Sequence, residues 1–570
     1  MVPFAIQKYR ALLWACGFAA FTEFLTGFAG SVISGNLLGE DALAGVSLAS
    51  SIQQLLAFLA SLIGCGMGIN YSIRRGRLDT RGANEVFTQG LWTVFLAGGA
   101  LAAAMVLGRD SYVAFMGPSA EVARYAREYW PWYVPSAIGF PLTVFLLNCC
   151  YADGDSRLCT ITYGVQLAVN IGLSWALMKW GHGVAGCAIG LSAGYLAAAA
   201  VLSLHFLRRT NTFRLVRHFS LRDTWRIVAS AIGDATGNIG DAIVFFVLGK
   251  LLISHYGSQA LVVFPVFMVV FGLASVSNGI GVAVQPIVAV YHGESNHRSI
   301  RTVAHDMLKL TVGIGAIITA ILLVHPDLAL QVVGVRDPQI VPTARAVVRI
   351  TVLGAIPMMI ANVFNNYYQY IEHELLSLGQ SLALWAAAPL LAMTVLVGVD
   401  EVWFWSWYPL GRWGGLLLFY LFVYCRYGRR LFPFLLDRDR EANIRVFDLT
   451  LDEGSIAATS VKVGMALAPT GVGSAVEMRA QLMTEEVLMA VKDRNGAKRV
   501  NAEVTLDLND GVLLTMRDDG EIFDITDSDV KVSGVRSFLV ACMMEKQREK
   551  ANLITTGFNR NVFRFKKENP

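Results

Sequence analysis

The chain has 570 residues, 55% hydrophobic and 16% charged, with a mean hydropathy of +0.50, which excludes a disordered protein and argues against a single water-soluble globule. A net charge of +4, with its basic residues in short clusters between apolar runs, sets nucleic acid aside as a partner. Residues 441–570 carry 37 of the 90 Asp, Glu, Lys and Arg residues against 53 in the first 440, so an apolar membrane block precedes a soluble tail. The eight cysteines form no CxxC pairs and sit mostly in apolar runs, as small core residues and not as a metal site. After Lys8 and Arg10 the chain enters apolar sequence without a small-residue cleavage site, so a removable signal peptide is not expected.

Runs of about 20 apolar residues, enough to cross a bilayer, start near residues 11, 43, 88, 130, 160, 184, 227, 260, 308, 346, 378 and 409. The expected fold class is an α-helical polytopic membrane protein with twelve transmembrane helices. Placing the N-terminus inside leaves about 18 Lys and Arg on the cytoplasmic side against about seven outside, which puts both termini in the cytoplasm. GCGMGINYSIRRG (64–76) and GIGVAVQPIVAVYHG (279–293) echo each other, as do FMGPSAEVARYAREY (115–129) and VVGVRDPQIVPTARAVVRI (332–350). Two six-helix pseudo-repeats follow, residues 1–206 and 227–430, joined by a cytoplasmic linker at 207–226, with any transport site expected between them.

Ionisable side chains in hydrocarbon are expensive, by at least about 2.5 kcal/mol, and mark a cavity or a partner. Glu23 lies near the middle of span one. On span seven Asp234, Asn238 and Asp241 fall at i, i+4 and i+7 and share one helix face, beside Gly233, Gly237 and Gly240. Asp241 lies about 22 Å beyond Arg226 along a helix, well inside the bilayer, where it suits a group that binds and releases a proton. Asp234 is nearer the cytoplasmic end. The plainer alternative for each carboxylate is a structural bond to a neighbouring span. In span eight, Pro286 removes an N–H after Gln285 and is expected to break the helix. Gln285 then either lines a pocket or packs helices. Span four holds Pro131, Pro135 and Pro141 and is expected to bend. Span ten presents Asn362, Asn365, Asn366 and Gln369, an amide face that binds without titrating. Its Tyr367, Tyr368 and Tyr370 either stack on a cation or anchor the interface.

In the tail, VEMRAQLMTEEVLMAVKDR (476–494) places Val476, Ala480, Met483, Val487, Ala490 and Val491 on one stripe, as in an amphipathic helix. AEVTLDL and GVLLTMRD flank Asn509-Asp510-Gly511, a hairpin signal. A second helix is expected at about 534–551 and a strand at NVFRF. The tail, 441–570, thus reads as a small cytoplasmic α/β sandwich with its own core.

Several segments in order resemble the multidrug and toxic compound extrusion (MATE) family. They are LLGEDALAGVSLASSIQQL after span one, GMGINYSIRRGRLDTRGANEVF across the second loop, VARYAREYWPWYVPSAIGFPLTVFLLNCCYADGDSR with VNIGLSWALM and GVAGCAIGLSAGYL through spans four to six, and VAVQPIVAVYHGESNHRSIR at the end of span eight. The resemblance covers about residues 10–430. It implies a secondary antiporter, not an enzyme, that exports organic and often cationic compounds in exchange for protons or sodium ions across the bacterial inner membrane. Where the family often carries an Asp near the end of span one this chain has Gly30, and the span-five pattern appears as Asn170 with Ser174. Glu23 is the alternative coupling carboxylate, and Asp234, Asn238, Asp241, Gln285 and Asn366 complete the expected ion and substrate pocket. Two other functions stay open: a flippase for lipid-linked precursors, and a membrane sensor signalling through the tail. A flippase for anionic head groups calls for basic residues in its cavity, and Lys250 is the main mid-span candidate.

The tail resembles the GHKL ATP-binding fold through LMTEEVLMAV, RDDGEIFD and TTGFNRN. That resemblance implies Glu485 or Glu486 polarising a water, Asp518 holding an adenine amino group and Gly520 making room for the base. Ala490 or Met489 stands at the magnesium-binding Asn and Ile522 at the second Gly of the loop. Magnesium needs oxygen ligands, so the expected tail is a degenerate domain that docks or regulates without hydrolysing ATP, with a cytoplasmic regulatory protein as a possible partner.

Overall fold

A computed structural model describes residues 2–14, 16–20, 22, 50–116, 120–208, 211–256, 263–333, 338, 340–509, 511–521 and 558–565. Glu23, Gly30, Ile522 and the helix expected at 534–551 lie outside the described residues, and so does the side chain of Asp234. Long helices account for most of the first 431 residues. We number α1 Leu55–Gly76, α2 Thr80–Met116, α3 Ala120–Tyr133, α4 Ser136–Ala152, α5 Ser156–Lys179 and α6 Gly183–Ser203. The second half has α7 Leu221–Leu251, α8 Phe264–Ser275, α9 Ser277–Gly293, α10 His297–Val324, α11 Val341–Thr351, α12 Ala355–Tyr370, α13 Glu374–Leu396 and α14 Trp407–Leu431.

Among the described residues eight helices are long and apolar enough to cross a membrane, nine if the bent pair α3–α4 is one span. α7 and α14 are long as well, with 31 and 25 residues, but carry ionisable residues along their length. The bend between α3 and α4 is 48° and falls at Pro135, as the prolines of that segment lead one to expect. Span eight behaves differently. Pro286 lies inside α9, which runs unbroken to Gly293, and the interruption falls at Val276 between α8 and α9. A proline removes one hydrogen bond of the ladder, and the helix continues through that loss within the buried stretch Ala283–Tyr291.

Four turns share one geometry. After α1, α4, α9 and α12 a residue with positive φ follows: Leu78, Gly154, Ser295 and Glu372. In each turn the next amide closes a six-residue loop, from Asp79 to the Arg74 carbonyl, Asp155 to Cys150, Asn296 to Tyr291 and His373 to Tyr368. These are Schellman-type helix ends. Asp155 and Asn296 then cap the next helix, accepting from the amides of Leu158 and Ser299, and Asp79 likewise accepts from Gly82.

The tail adds β1 Ile444–Thr450, α15 Glu453–Leu467, α16 Ser474–Asn495, β2 Asn501–Asp507, β3 Val512–Asp518 and β4 Asn559–Phe565. The four strands form one antiparallel sheet in the order β1-β2-β3-β4. One sheet face, with Leu449, Val504, Leu514, Met516 and Phe563, packs on Ile456 and Val463 of α15 and on Val476, Met483 and Val487 of α16. This is the stripe expected for 476–494. The described tail is a small four-stranded sheet under two helices, and β1 and α15 were not among the expected elements. Its other face lies against the ends of α1 and α9, on the side where all four turns lie.

Candidate functional site

α7 brings Gly237, Asn238 and Asp241 to a cavity of about 100 Å³ within the second half of the molecule. Ser275 of α8, Asn278 of α9, Asn362 and Asn365 of α12 and Trp385 of α13 complete it, with Phe271 and Met358 as apolar walls. The glycines explain the close packing. A Cβ on Gly240 would lie 3.0 Å from that of Trp385, so α7 and α13 approach nearly backbone to backbone. Hydrogen bonds hold the amide face in place. Asn362 Nδ2 donates to Ser277 Oγ (3.0 Å), Asn365 Oδ1 accepts from Ser377 Oγ (2.6 Å) and Ser381 Oγ (3.2 Å), and Gln369 Nε2 donates to Ser377 Oγ (3.0 Å). Asn278 and Asn238 add amides to the same cavity.

Asp241 is not alone there. Arg412 of α14, fully buried, donates from Nη2 to Asp241 Oδ1 at 2.9 Å and from Nη1 to the Leu384 carbonyl at 2.8 Å. Its guanidinium also lies over the rings of Trp385 (5.4 Å) and Tyr408 (5.5 Å). The bond to a neighbouring span that the sequence left open for Asp241 is thus made by a cation 171 positions away. Arg412 is a buried basic residue that the sequence reading did not name, and the side chain of Lys250 lies outside the described residues. The signal was present, an arginine in the apolar sequence YPLGRWGGLLLF, where a lone cation demands a partner.

Of the other expected pocket residues, Asn238 lines the same cavity, and Asn366 and Gln285 lie elsewhere. Asp234 and Asn238 share α7 with Asp241. Asn366 is buried and packs on Gly281 of α9, its Nδ2 donating to the Asn362 carbonyl (3.2 Å), one turn from the cavity. Gln285 is also buried but faces the first half: Nε2 points to the Cys65 carbonyl (3.5 Å), and it packs on Gly68 of α1 beside Asn148. It is therefore a residue of the seam between the halves. In the first half a second polar cluster had not been expected, with Tyr133 donating to Gln53 Oε1 (2.5 Å) and Gln53 Nε2 donating to Tyr195 Oη (3.3 Å). Asn170 and Ser174 are buried in α5 against α6, where Ser174 Oγ donates to the Cys187 carbonyl (3.4 Å).

The MatE family model matches two stretches, residues 15–176 and 242–383, one in each half and together just over half of the chain. The chain belongs to the MatE family. Its members are transporters, and the membership makes this chain a MATE-family efflux transporter with a multi-pass membrane fold. Solved structures share the fold. A MATE protein in complex with MaL6 superposes with a TM-score of 0.70 at 17% identity, over 74% of this chain and 96% of the other. A multidrug resistance MATE family transporter of the MOP superfamily, in an outward-facing conformation, gives 0.68 at 17%, over 75% and 98%. The Vibrio cholerae MATE transporter VcmN in its bent form gives 0.67 at 15%, over 73% and 95%. No curated protein matches the sequence.

The MatE tail residues expected to hold nucleotide are partly in contact with one another. Asp518, at the end of β3, is buried and accepts from Asn559 Nδ2 (2.8 Å) and from the Gly520 amide (3.0 Å). Burial pushes its carboxyl up to about 6, against the donors that favour ionisation. Both donors meet the same oxygen, Oδ1. Gly520 packs on Asn495, whose Oδ1 accepts from the Glu521 amide (2.9 Å). Glu486 is half-buried on α16, and Ala490, one turn on, is buried. We expect ATP with magnesium, titrated into the full-length protein in detergent, to give no saturable micromolar binding; binding at that level that disappears with EDTA would overturn this.

Proposed function

We propose that this MatE member exports organic, cationic or amphipathic, compounds in exchange for protons or sodium ions, with Asp241 of the second-half cavity as a coupling group. The orientation that goes with it has both termini and the tail on the cytoplasmic side of a bacterial inner membrane, following the distribution of Lys and Arg. The supporting observation is the Asp241–Arg412 pair set in a cavity lined by amides. A carboxylate shared between an arginine and a proton or metal cation is a two-state element. When ionised it binds Arg412. When a cation enters the cavity, Arg412 loses its partner and must turn to the Leu384 carbonyl and the rings beside it, which shifts α14 relative to α7. Glu23 remains a second coupling candidate in the first half.

The flippase reading draws on one observation, the buried Arg412, but that cation is neutralised by Asp241 and leaves no net positive charge for an anionic head group. The sensor reading rests on the tail. Dye efflux from proteoliposomes separates these possibilities. The exporter reading expects efflux driven by an imposed proton or sodium gradient, and efflux driven by neither, alongside lipid-linked precursor translocation, would transfer the function to the flippase.

A further inference from the structure

The register of the tail sheet lines up four charged residues in one row across all four strands: Asp448 on β1, Glu503 on β2, Arg517 on β3 and Arg560 on β4. They project from the face opposite α15 and α16, where a freely soluble domain would show them to water. Instead Glu503, Arg517 and Arg560 are buried against the membrane unit. Glu503 accepts from Tyr291 Oη (3.1 Å) and pairs with Arg517 (2.6 Å). Arg517 also pairs with Glu294 and lies over the Tyr291 ring at 4.6 Å. Arg560 pairs with the same Glu294 (2.9 Å) and donates to the carbonyls of Arg75 (3.2 Å) and Gly76 (3.0 Å).

These partners belong to different halves. Arg75 and Gly76 end α1 in the first half, and their carbonyls are among the last of the helix, with the negative end of the helix dipole behind them; the Arg75 carbonyl also accepts from the Leu78 amide (3.1 Å). Tyr291 and Glu294 lie at the end of α9 in the second half. Gly76 and Gly293 are the matching last residues of the two echoed segments, and the two helices cross there so closely that a Cβ on Gly76 would lie 2.9 Å from Gly293 Cα. Arg560 therefore binds both halves at once, at the point where they touch. Arg517 and Arg560 are each paired within this buried set, with Glu294 and Glu503, so loss of one partner leaves a buried charge exposed to the full cost of desolvation.

We propose that the tail is a latch on the transporter: its charged row fastens the ends of α1 and α9 together and holds the tail-side opening shut. This rests on the exporter reading in so far as the two halves must part there during a cycle. When they part, Arg560 has to release either Glu294 or the α1 carbonyls, and the buried set loses one of its partners. The membrane unit has its own weaker bridge nearby, Arg77 to Glu372 (2.5 Å) with His292 (3.3 Å) on the same carboxylate, but that bridge is more than one-third exposed on both main partners and contributes little. The tail supplies the dry part of the closure.

The test measures the opening directly in the full-length protein. Spin labels at Arg157→Cys and Leu375→Cys, exposed positions at the starts of α5 and α13 in opposite halves, are read by pulsed dipolar spectroscopy with the exposed Cys425 and the tail's Cys542 changed to Ser. The latch expects one short distance in the parent protein, and in Arg560→Gln a longer-distance population raised about fivefold or more. Glu294→Gln, which alters the membrane unit and leaves the tail sequence intact, is expected to give the same shift. An unchanged distribution in both variants would overturn the latch. A shift in distance without any gradient-driven efflux by the parent protein would keep the latch and remove the exporter reading.

Discussion

Asp241→Asn is expected to abolish gradient-driven efflux and also to destabilise the protein, by about 3–5 kcal/mol, because it leaves the guanidinium of Arg412 buried without its counter-charge. The size follows from the geometry. Arg412 is fully buried and keeps only the Leu384 carbonyl and two aromatic faces once the carboxylate is gone. The double variant Asp241→Asn with Arg412→Met removes the orphaned charge and should recover most of that loss, since replacing a whole buried ion pair by a side chain of similar volume is often neutral. It should not recover transport. Unfolding midpoints in detergent for the two single variants and the double variant form a cycle whose interaction energy reads the pair itself. Additive single effects would mean that the pair is not coupled. Efflux by the double variant at the parent rate would mean that Asp241 plays no part in energy coupling.

The difference between what was and was not legible in the sequence follows from separation along the chain. Asp234, Asn238 and Asp241 declare a shared face because the helix period places them there, and α7 carries all three. Arg412 could not be attached to them by any period, being on another helix far along the chain. α7 carries Arg222, Asp223, Arg226, Asp234, Asp241 and Lys250 along its 31 residues, so ionic groups recur on it from end to end. In the tail, the hairpin around Asn509 and Gly511 was legible, with Gly511 at φ 118°. β1 was not, because IRVFDLT carries Asp448 toward a buried partner, the Phe4 amide (2.7 Å), and so departs from the apolar-in, polar-out alternation. The row Glu503–Arg517–Arg560 spans 57 positions and exists only through strand register.

Pro286 teaches the opposite lesson. The local rule that proline breaks a helix is sound for an exposed helix, but α9 is enclosed by α1, α10 and α12, and the packing of so much buried surface outweighs one missing hydrogen bond. Gln285 beside it lies at the crossing of α9 and α1, and Gly76 and Gly293 lie further along the same two helices.

That crossing gives the second large effect, Gly76→Val. A Cβ at Gly76 runs into the Val290 carbonyl oxygen and lies 2.9 Å from Gly293 Cα, both backbone atoms that cannot swing aside. The branched side chain therefore acts as a wedge, and the strain falls only on the state in which α1 and α9 touch. Overpacking of this kind costs about 1–3 kcal/mol, and since 1.4 kcal/mol is a factor of ten in an equilibrium, the closed population should fall by roughly 5- to 150-fold relative to the open one. The Arg157–Leu375 distance should lengthen, and gradient-driven efflux should drop by at least tenfold, because a transporter that cannot close on one side cannot complete its cycle. Gly99→Val on α2 is the control, since no atom lies within 4 Å of its Cβ position, and it should leave both readouts unchanged. If Gly76→Val kept the short distance and the parent efflux rate, the contact between α1 and α9 would not be the gate.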